Sequence, residues 1–554
     1  MSFRRSIPAF VLAALLFAYI VYPVLTLLSQ SLTLPVDEYR AEAMGWDARH
    51  QPFAAPLRRL FAEPNAREAV VRTVALAAAT VVVASLWGAG LALLWWRREF
   101  PFRRYFAALG YAPILLPPLV GTLAFYRLIG DGGVLWRVLG SEHGAPLISG
   151  FNQVLLVHAY SFGIYSYAYV AAALEDVDPS QEEAARSLGA RTQRVFFTAV
   201  WPAIRAPLLA SAFITFMAAS ASFSAPYILD NAGRYLTVEI LNEADVGMQR
   251  AMSVVLAAIA LTALPAFLYI NRRGRFGADT AFSVKGSARR DLSPASPSRR
   301  IVYMSASVVA ALILLAPPLM VLSGAAGDEL PTVQKQSMLG ITARLSAEDW
   351  ASLGRSALYA SAAALIDIAI AVAIGLALRR KGVHGGALVE FAVMLALALP
   401  GSALAVALLA VFNSPSPLAL GQALGQTPAI LILAYFIRNL PLAVRPVNAA
   451  FSALGTELES AAAGLGAAPP RVLFRVTLPL IFPSVLAAAL ICFITGLGEY
   501  VASKLLAGID TRPVSVRIDE LFRSSPASAH ALALWLMVAC AVVVTASRAV
   551  AKRR

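Results

Sequence analysis

The chain has 554 residues, 59% of them hydrophobic and only 14% charged, with a mean hydropathy of +0.69. A soluble chain carries roughly a quarter charged residues. Here apolar runs of about 20 residues, the length that crosses a bilayer as a helix, recur from end to end, so the composition excludes a soluble globular protein and implies an all-α polytopic protein in a lipid bilayer. The net charge of +14 raises nucleic-acid binding, but the basic residues flank the apolar runs and form no single face, so no nucleic-acid partner is expected.

Twelve spans are predicted in chain order. Six lie near 7–29, 70–96, 106–129, 152–174, 206–226 and 251–270. Six more lie near 301–323, 356–378, 387–411, 428–447, 480–503 and 528–548. The fourth and tenth carry His158 and Arg438, unusual passengers in apolar helices. Arg4 and Arg5 precede the first span, Arg97, Arg98, Arg103 and Arg104 follow the second, and Arg379, Arg380 and Lys381 follow the eighth. Arg548, Lys552, Arg553 and Arg554 close the chain. This alternation places both termini in the cytoplasm by the positive-inside rule. No small-x-small site follows the first apolar run, so it is expected to remain as an uncleaved span. Cys492 and Cys540 both fall inside spans, where core packing is their expected role.

The stretch 271–300 is rich in Arg, Ser, Gly and Pro and reads as a basic cytoplasmic linker between modules 1–270 and 301–554. Each module holds an even number of spans, so the two repeats run parallel. Their kinship is written in the loop after the fourth span of each. Glu182–Phe216 and Glu459–Phe493 align without a gap at an offset of 277, with 16 of 35 positions identical. Shorter echoes are Arg72-Thr73 with Arg355-Ser356, Leu116-Pro117 with Leu399-Pro400, and Ala159-Tyr160 with Ala434-Tyr435. A polar loop duplicated in this way presents one surface twice and implies a two-fold partner.

Within the loop, Ser180 with Glu183 and Thr456 with Glu459 have capping-box spacing, which starts a helix. The alanine-rich helix ends at Gly189 or Gly466, a second helical piece carries Arg194 or Arg471, and Pro202 or Pro479 marks the return to the membrane. A helix–glycine–helix elbow with small residues on one face suits a groove on another protein.

These residues resemble the EAA loop of permease subunits of binding-protein-dependent ABC importers. Glu183-Ala184-Ala185, Gly189 and Pro202 match in the first half, and Ala461-Ala462, Gly466 and Pro479 in the second. Two departures stand out: Ser460 takes the place of the second glutamate, with Glu459 one residue earlier, and Trp201 replaces the leucine before Pro202. The resemblance implies a type I importer permease, built as a pseudo-dimer of two parallel six-helix repeats. It implies coupling loops at 180–202 and 456–479, with Glu182 and Glu459 at their head, that dock into two copies of an ABC ATPase. It further implies a periplasmic solute-binding protein, a bacterial cytoplasmic-membrane location and a transport role without catalysis. None of the five lysines follows a glycine, so no phosphate-cradling Gly-Lys-Ser/Thr loop exists here, and ATP and Mg are expected on the partner. Two modules in one chain resemble the fused iron(III) and thiamine permeases, with the polyamine type close behind. A lipid-moving or exporting ABC permease and a six-plus-six-span secondary transporter are the alternatives. The second calls for a glycine-rich basic loop after the second span, and 97–104 contains no glycine.

By the same resemblance, spans five and eleven line the pathway, offering Ser220, Ser222, Phe223, Glu499 and Tyr500. A carboxylate at membrane depth is expensive and usually functional, so Glu499 is expected either to meet a cation or to pair with Lys504. Asp367 is expected to bond a neighbouring helix, and His158 and Arg127 to find freed carbonyls or to snorkel. Tyr160, Tyr165, Tyr167 and Tyr169 read as bundle lining or a stacking platform. The five histidines have no metal-ligand spacing.

Overall fold

The computed structural model describes residues 2–33, 53–96, 99–140, 148, 150–175, 177, 179–273, 297–326, 338–378, 385–454 and 457–552. Helix dominates throughout, and among the described residues no strand forms beyond two isolated bridges. Arg97, Arg98, most of the 271–300 linker, Arg379, Arg380, Lys381, Thr456, Arg553 and Arg554 lie outside the described residues. So do the side chains of Arg4, Arg5, Ser180 and Glu183.

Among the described residues, ten helices are long and apolar enough to cross a membrane. The difference from twelve lies in the third span of each half, and proline is the cause. In the first half, the predicted 106–129 is a helix at Arg103–Leu109, a 3-10 turn at Ala112–Leu115 and a helix at Pro118–Ile129. Pro113, Pro117 and Pro118 supply no backbone N–H, and Leu116 and Pro117, each followed by a proline, take extended ψ angles of 107° and 145°. In the second half, Gly386–Ala398 and Gly401–Phe412 meet at Leu399-Pro400 with a bend of 116°. The fifth and eleventh spans also stop short of the predicted 226 and 503, ending at Ser220 and Leu497.

The packing units differ from the sequence halves. One unit comprises residues 61–242 and 255–330, and therefore contains the seventh span, Pro297–Ala326. Within it the indole N–H of Trp95 donates to Ser307 Oγ at 3.0 Å, and the Tyr160 hydroxyl donates to the Leu314 carbonyl at 3.0 Å. Arg127 donates to Ser323 Oγ at 3.0 Å and also to the Ser323 carbonyl. The second and fourth spans approach closely because both carry glycine at the contact: a methyl on Gly88 would stand 2.0 Å from the Gly163 carbonyl oxygen.

The other unit comprises 1–60, 243–254 and 331–554, and so contains the first span, Ile7–Thr33. Tyr19 donates to the Leu418 carbonyl at 2.9 Å and stacks on Phe412, and Phe10 packs beside Gly385. Each unit thus takes its leading span from the opposite half of the sequence.

Candidate functional sites: the duplicated loops and the helix breaks

The duplicated loops fold alike, residue for residue. Helix Pro179–Ser187 is matched by Glu457–Gly464, helix Thr192–Val195 by Pro469–Val472, and the π-helical turn Phe196–Val200 by Leu473–Thr477. The long helices that follow, Trp201–Ser220 and Leu478–Leu497, keep the same offset.

Each loop turns at its glycine. Gly189 has φ +79° and Gly466 φ +85°, a left-handed conformation that costs glycine nothing. The amides of Gly189 and Ala190 bond back to the carbonyls of Arg186 and Ala185, at 2.9 and 3.0 Å. Gly466 and Ala467 repeat this pair on Ala463 and Ala462, at 2.9 and 3.1 Å. Both ends are therefore Schellman motifs, which satisfy the last helical carbonyls and set the elbow angle.

The elbow leaves apolar groups in solvent at matching positions. Leu188 and Leu465 are 89% and 90% exposed, and Phe197 and Phe474 stand out beside them at 63% and 67%. Ala184, Ala461, Arg194, Arg471, Pro202 and Pro479 are exposed and Ala185 and Ala462 half-exposed, while Val195 and Val472 turn inward. The same pair of large apolar side chains thus stands exposed on each of the two polar loops.

The glutamates act within the loops. Glu182 is buried and accepts from Arg186 at 2.9 Å, one helical turn along. Glu459 accepts the hydroxyl of Thr477, tying the first loop helix to the π turn that leads into the eleventh span. Ser460, where the first loop has Glu183, is exposed.

The second duplicated feature is a break in the chain after the fifth and eleventh spans. Helix resumes at Ser224–Leu229 and Val501–Leu506, so the helical run is interrupted at Ala221–Phe223 and Gly498–Tyr500. The freed carbonyls need donors, and two hydroxyls supply them at equivalent places. Thr237 Oγ1 donates to the Ser222 carbonyl at 2.8 Å, and Ser515 Oγ to the Glu499 carbonyl at 2.5 Å. The helices bearing those hydroxyls are in turn held by the Arg-Thr and Arg-Ser echoes. Leu236 N–H donates to Thr73 Oγ1 at 3.0 Å, and Val514 N–H to Ser356 Oγ at 2.7 Å. Beside the first of these, Arg72 and the Tyr235 hydroxyl both donate to Asp230, at 2.7 and 2.6 Å. Burial, and then the bond to Asp230, raise the Tyr235 phenol above its ordinary pKa.

The side chains at the two breaks differ. In the first half, His158 bridges Thr80 Oγ1 at 3.1 Å and Ser222 Oγ at 2.8 Å, so hydroxyls, not freed carbonyls, are its partners. Ser220 is buried and bonds back into its own helix at the Met217 carbonyl, and Phe223 is buried against Tyr227. In the second half, Glu499 and Tyr500 are buried. One Glu499 oxygen lies 3.1 Å from Arg438 Nε and the other accepts the Ala502 N–H at 2.9 Å. Lys504, the expected partner, instead bonds Asp519 at 2.5 Å. Arg438 is the site residue that sequence reasoning passed over, although an arginine inside a span was itself the signal.

Asp367 is fully buried in the eighth span, and its polar neighbour is the Cys492 thiol of the helix Leu478–Leu497, a group on a neighbouring helix as expected. The tyrosines of the fourth span are packing groups: Tyr167 donates to the Ala107 carbonyl at 2.6 Å and meets Trp95 and Tyr111 edge-on, and Tyr165 stacks on Phe162. Among the described residues no three His, Cys, Asp or Glu side chains gather as a metal site.

Comparison with known proteins places this architecture. Residues 1–272 and 368–554 match the family described as binding-protein-dependent transport system inner membrane component. The chain is 26% identical to the Probable ABC transporter permease protein y4fN of Sinorhizobium fredii, over 82% of this chain and 81% of that one. It is 25% identical to the ferric transport system permease protein FbpB of Actinobacillus pleuropneumoniae, over 73% of this chain and 60% of that one. It is 26% identical to the thiamine transport system permease protein ThiP of Escherichia coli, over 66% and 68% of the respective chains. The duplicated loops, the duplicated breaks and the two matched stretches have one origin: this multi-pass membrane protein belongs to the binding-protein-dependent transport system inner membrane component family, as an ABC permease with two modules fused in one chain.

Proposed function

We propose that the chain is the translocation subunit of an ATP-driven importer in a bacterial cytoplasmic membrane, with both termini in the cytoplasm. The observation that carries this reading is the pair of matching elbows, each ending in a left-handed glycine and each baring one leucine and one phenylalanine. Two copies of an ABC ATPase, holding ATP and Mg, would each receive one elbow. Closure of the ATPases around ATP would pull the elbows together, and hydrolysis would release them. The π turns at Phe196–Val200 and Leu473–Thr477 connect each elbow to the span that ends at a break, so the movement has a direct mechanical route. A periplasmic binding protein would deliver the solute on the opposite side. The names of the relatives favour iron(III) or thiamine over polyamine as the solute.

The test is affinity purification of the chain from its native membrane in mild detergent, with quantitative mass spectrometry. The expected result is an ABC ATPase at two copies per chain, lost when Leu188 and Leu465 are both changed to Asp. Retention of the ATPase by that double variant would overturn the assignment of the elbows.

A further inference from the structure

The second module holds a polar constellation that the first does not. Arg438 sits within the first half of the helix Pro428–Ala453, a span in which arginine is costly and is retained where it faces a polar space or a partner. Its Nε lies 3.1 Å from Glu499, whose side chain is only 7% exposed, while the Arg438 side chain keeps 29%. Both Glu499 oxygens are engaged, one by Arg438 and one by the Ala502 amide. The charge of the carboxylate is therefore already balanced by Arg438, which leaves it little attraction for a cation. The guanidinium is the group with capacity left, since among the described residues its Nη1 and Nη2 make no hydrogen bond.

Nη1 rests against Gly401, where a methyl group would stand 2.3 Å from it. Gly401 opens the twelve-residue helix Gly401–Phe412, just beyond the bend at Pro400. The first backward bond of that helix runs from Leu404 N–H to the Pro400 carbonyl, so the amides of Gly401, Ser402 and Ala403 have no helical acceptor. Ser402 is fully buried, and its Oγ has no partner either. Arg438 Nη1 lies against Gly401 and the buried, unpartnered Ser402 hydroxyl belongs to the next residue, and a half-engaged guanidinium beside a helix N-terminus is a donor set for an oxyanion.

We propose that Arg438, Ser402 and the N-terminus of helix Gly401–Phe412 form an oxyanion site that recognises a carboxylate or phosphate group on the transported solute. Glu499 is its fixed counter-charge. It neutralises Arg438 when the site is empty, and it keeps the affinity low enough for release, as passage through a membrane requires. The fold alone does not call for the constellation. The echoes that align the two halves put Pro118 and Gly163 at the places of Gly401 and Arg438, and the first module builds the same helices around them. This deepens the importer reading, and rests on it for direction. The solute is then an anionic species, such as a carboxylate chelate of iron(III) or a phosphate ester of thiamine, and not a bare cation.

Binding can be measured without ATPase or nucleotide. The full chain in nanodiscs of zwitterionic lipid is titrated with citrate and with inorganic phosphate against sodium chloride of matched ionic strength, and thermal midpoints give apparent affinities. Citrate, phosphate or both should raise the midpoint of the wild-type chain. Arg438→Gln should weaken that affinity about tenfold or more, as loss of a charge-assisted hydrogen bond implies, and Gly401→Ala should weaken it by displacing Nη1. Glu499→Gln keeps an acceptor for the Ala502 amide and removes the counter-charge, so it should tighten binding about tenfold. If neither anion shifts the wild-type or the Glu499→Gln chain, or if Glu499→Gln weakens binding, the site is a structural ion pair and the proposal fails. Should Arg438→Gln not fold, Glu499→Gln and Arg438→Lys still decide the matter. A chain that binds citrate yet recruits no ATPase would overturn the importer reading and leave this site standing.

Discussion

Replacing Gly189 by alanine isolates the conformational role of the elbow. Gly189 sits at φ +79°, and nothing lies within 4 Å of where a Cβ would be placed. A side chain therefore meets no neighbour, and the whole cost is the left-handed backbone, about 1–2 kcal/mol for an L residue. The lower freedom of alanine in the unfolded loop offsets about 0.4–1 kcal/mol of this. A net cost near 1 kcal/mol multiplies the open population of the helix end about fivefold. The bonds that open are those from the Gly189 and Ala190 amides to Arg186 and Ala185. Hydrogen exchange by mass spectrometry on the chain in nanodiscs reads them directly, in peptides that cover 183–195. Gly189→Ala should exchange about fivefold faster there, Gly189→Val faster still because its branched Cβ resists left-handed φ, and Gly189→Asn least affected. Gly466→Ala should do the same to the 460–472 peptide, since its surroundings are equally empty. Wild-type exchange rates in both alanine variants would refute the argument that the glycines set the elbow by their φ.

Gly88→Leu should prevent the second and fourth spans from closing, because even a methyl there collides with the Gly163 carbonyl and the Tyr167 amide at 2.0 and 2.7 Å; size-exclusion chromatography in detergent should show loss of the monodisperse chain, while Gly90→Leu, with nothing nearby, should be tolerated. The ion pair of Arg59 with Asp245, 3.3 Å apart with side chains 6% and 8% exposed, predicts an asymmetric pattern in thermal midpoints. Arg59→Met alone should destabilise by about 3–5 kcal/mol by removing the cation of a buried ion pair. Adding Asp245→Asn should recover most of that loss, since asparagine can still cap the Met248 amide as Asp245 does at 2.8 Å. If the double variant is no better than the single one, the loss is not electrostatic.

What the amino-acid sequence determined by itself are the features encoded locally or by repetition. Span positions follow from transfer free energy summed along the chain, the bends at Leu116-Pro117 and Leu399-Pro400 follow from the covalent chemistry of proline, and the left-handed turns follow from Gly189 and Gly466. The duplicated elbow was legible because two copies at one offset cannot be coincidence, and both copies lie within the stretches that match the family. Even there the reading stopped at side-chain partners: Glu459 holds Thr477, 18 positions on, a contact no spacing rule announces.

The tertiary structure alone decided which groups meet. Hydropathy ranks Ile7–Thr33 and Pro297–Ala326 as spans but is blind to which bundle each joins, and each joins the unit built from the other half. Lys504, five residues from Glu499, was the nearer cation in sequence, yet Arg438 takes the carboxylate because the break after Leu497 turns Glu499 toward the tenth span. Lys504 meets Asp519 in the helix Val514–Ser524. A charge buried in a bilayer must find its counter-charge wherever the packing of helices brings one, and that choice is made between segments far apart in sequence, where no local pattern records it.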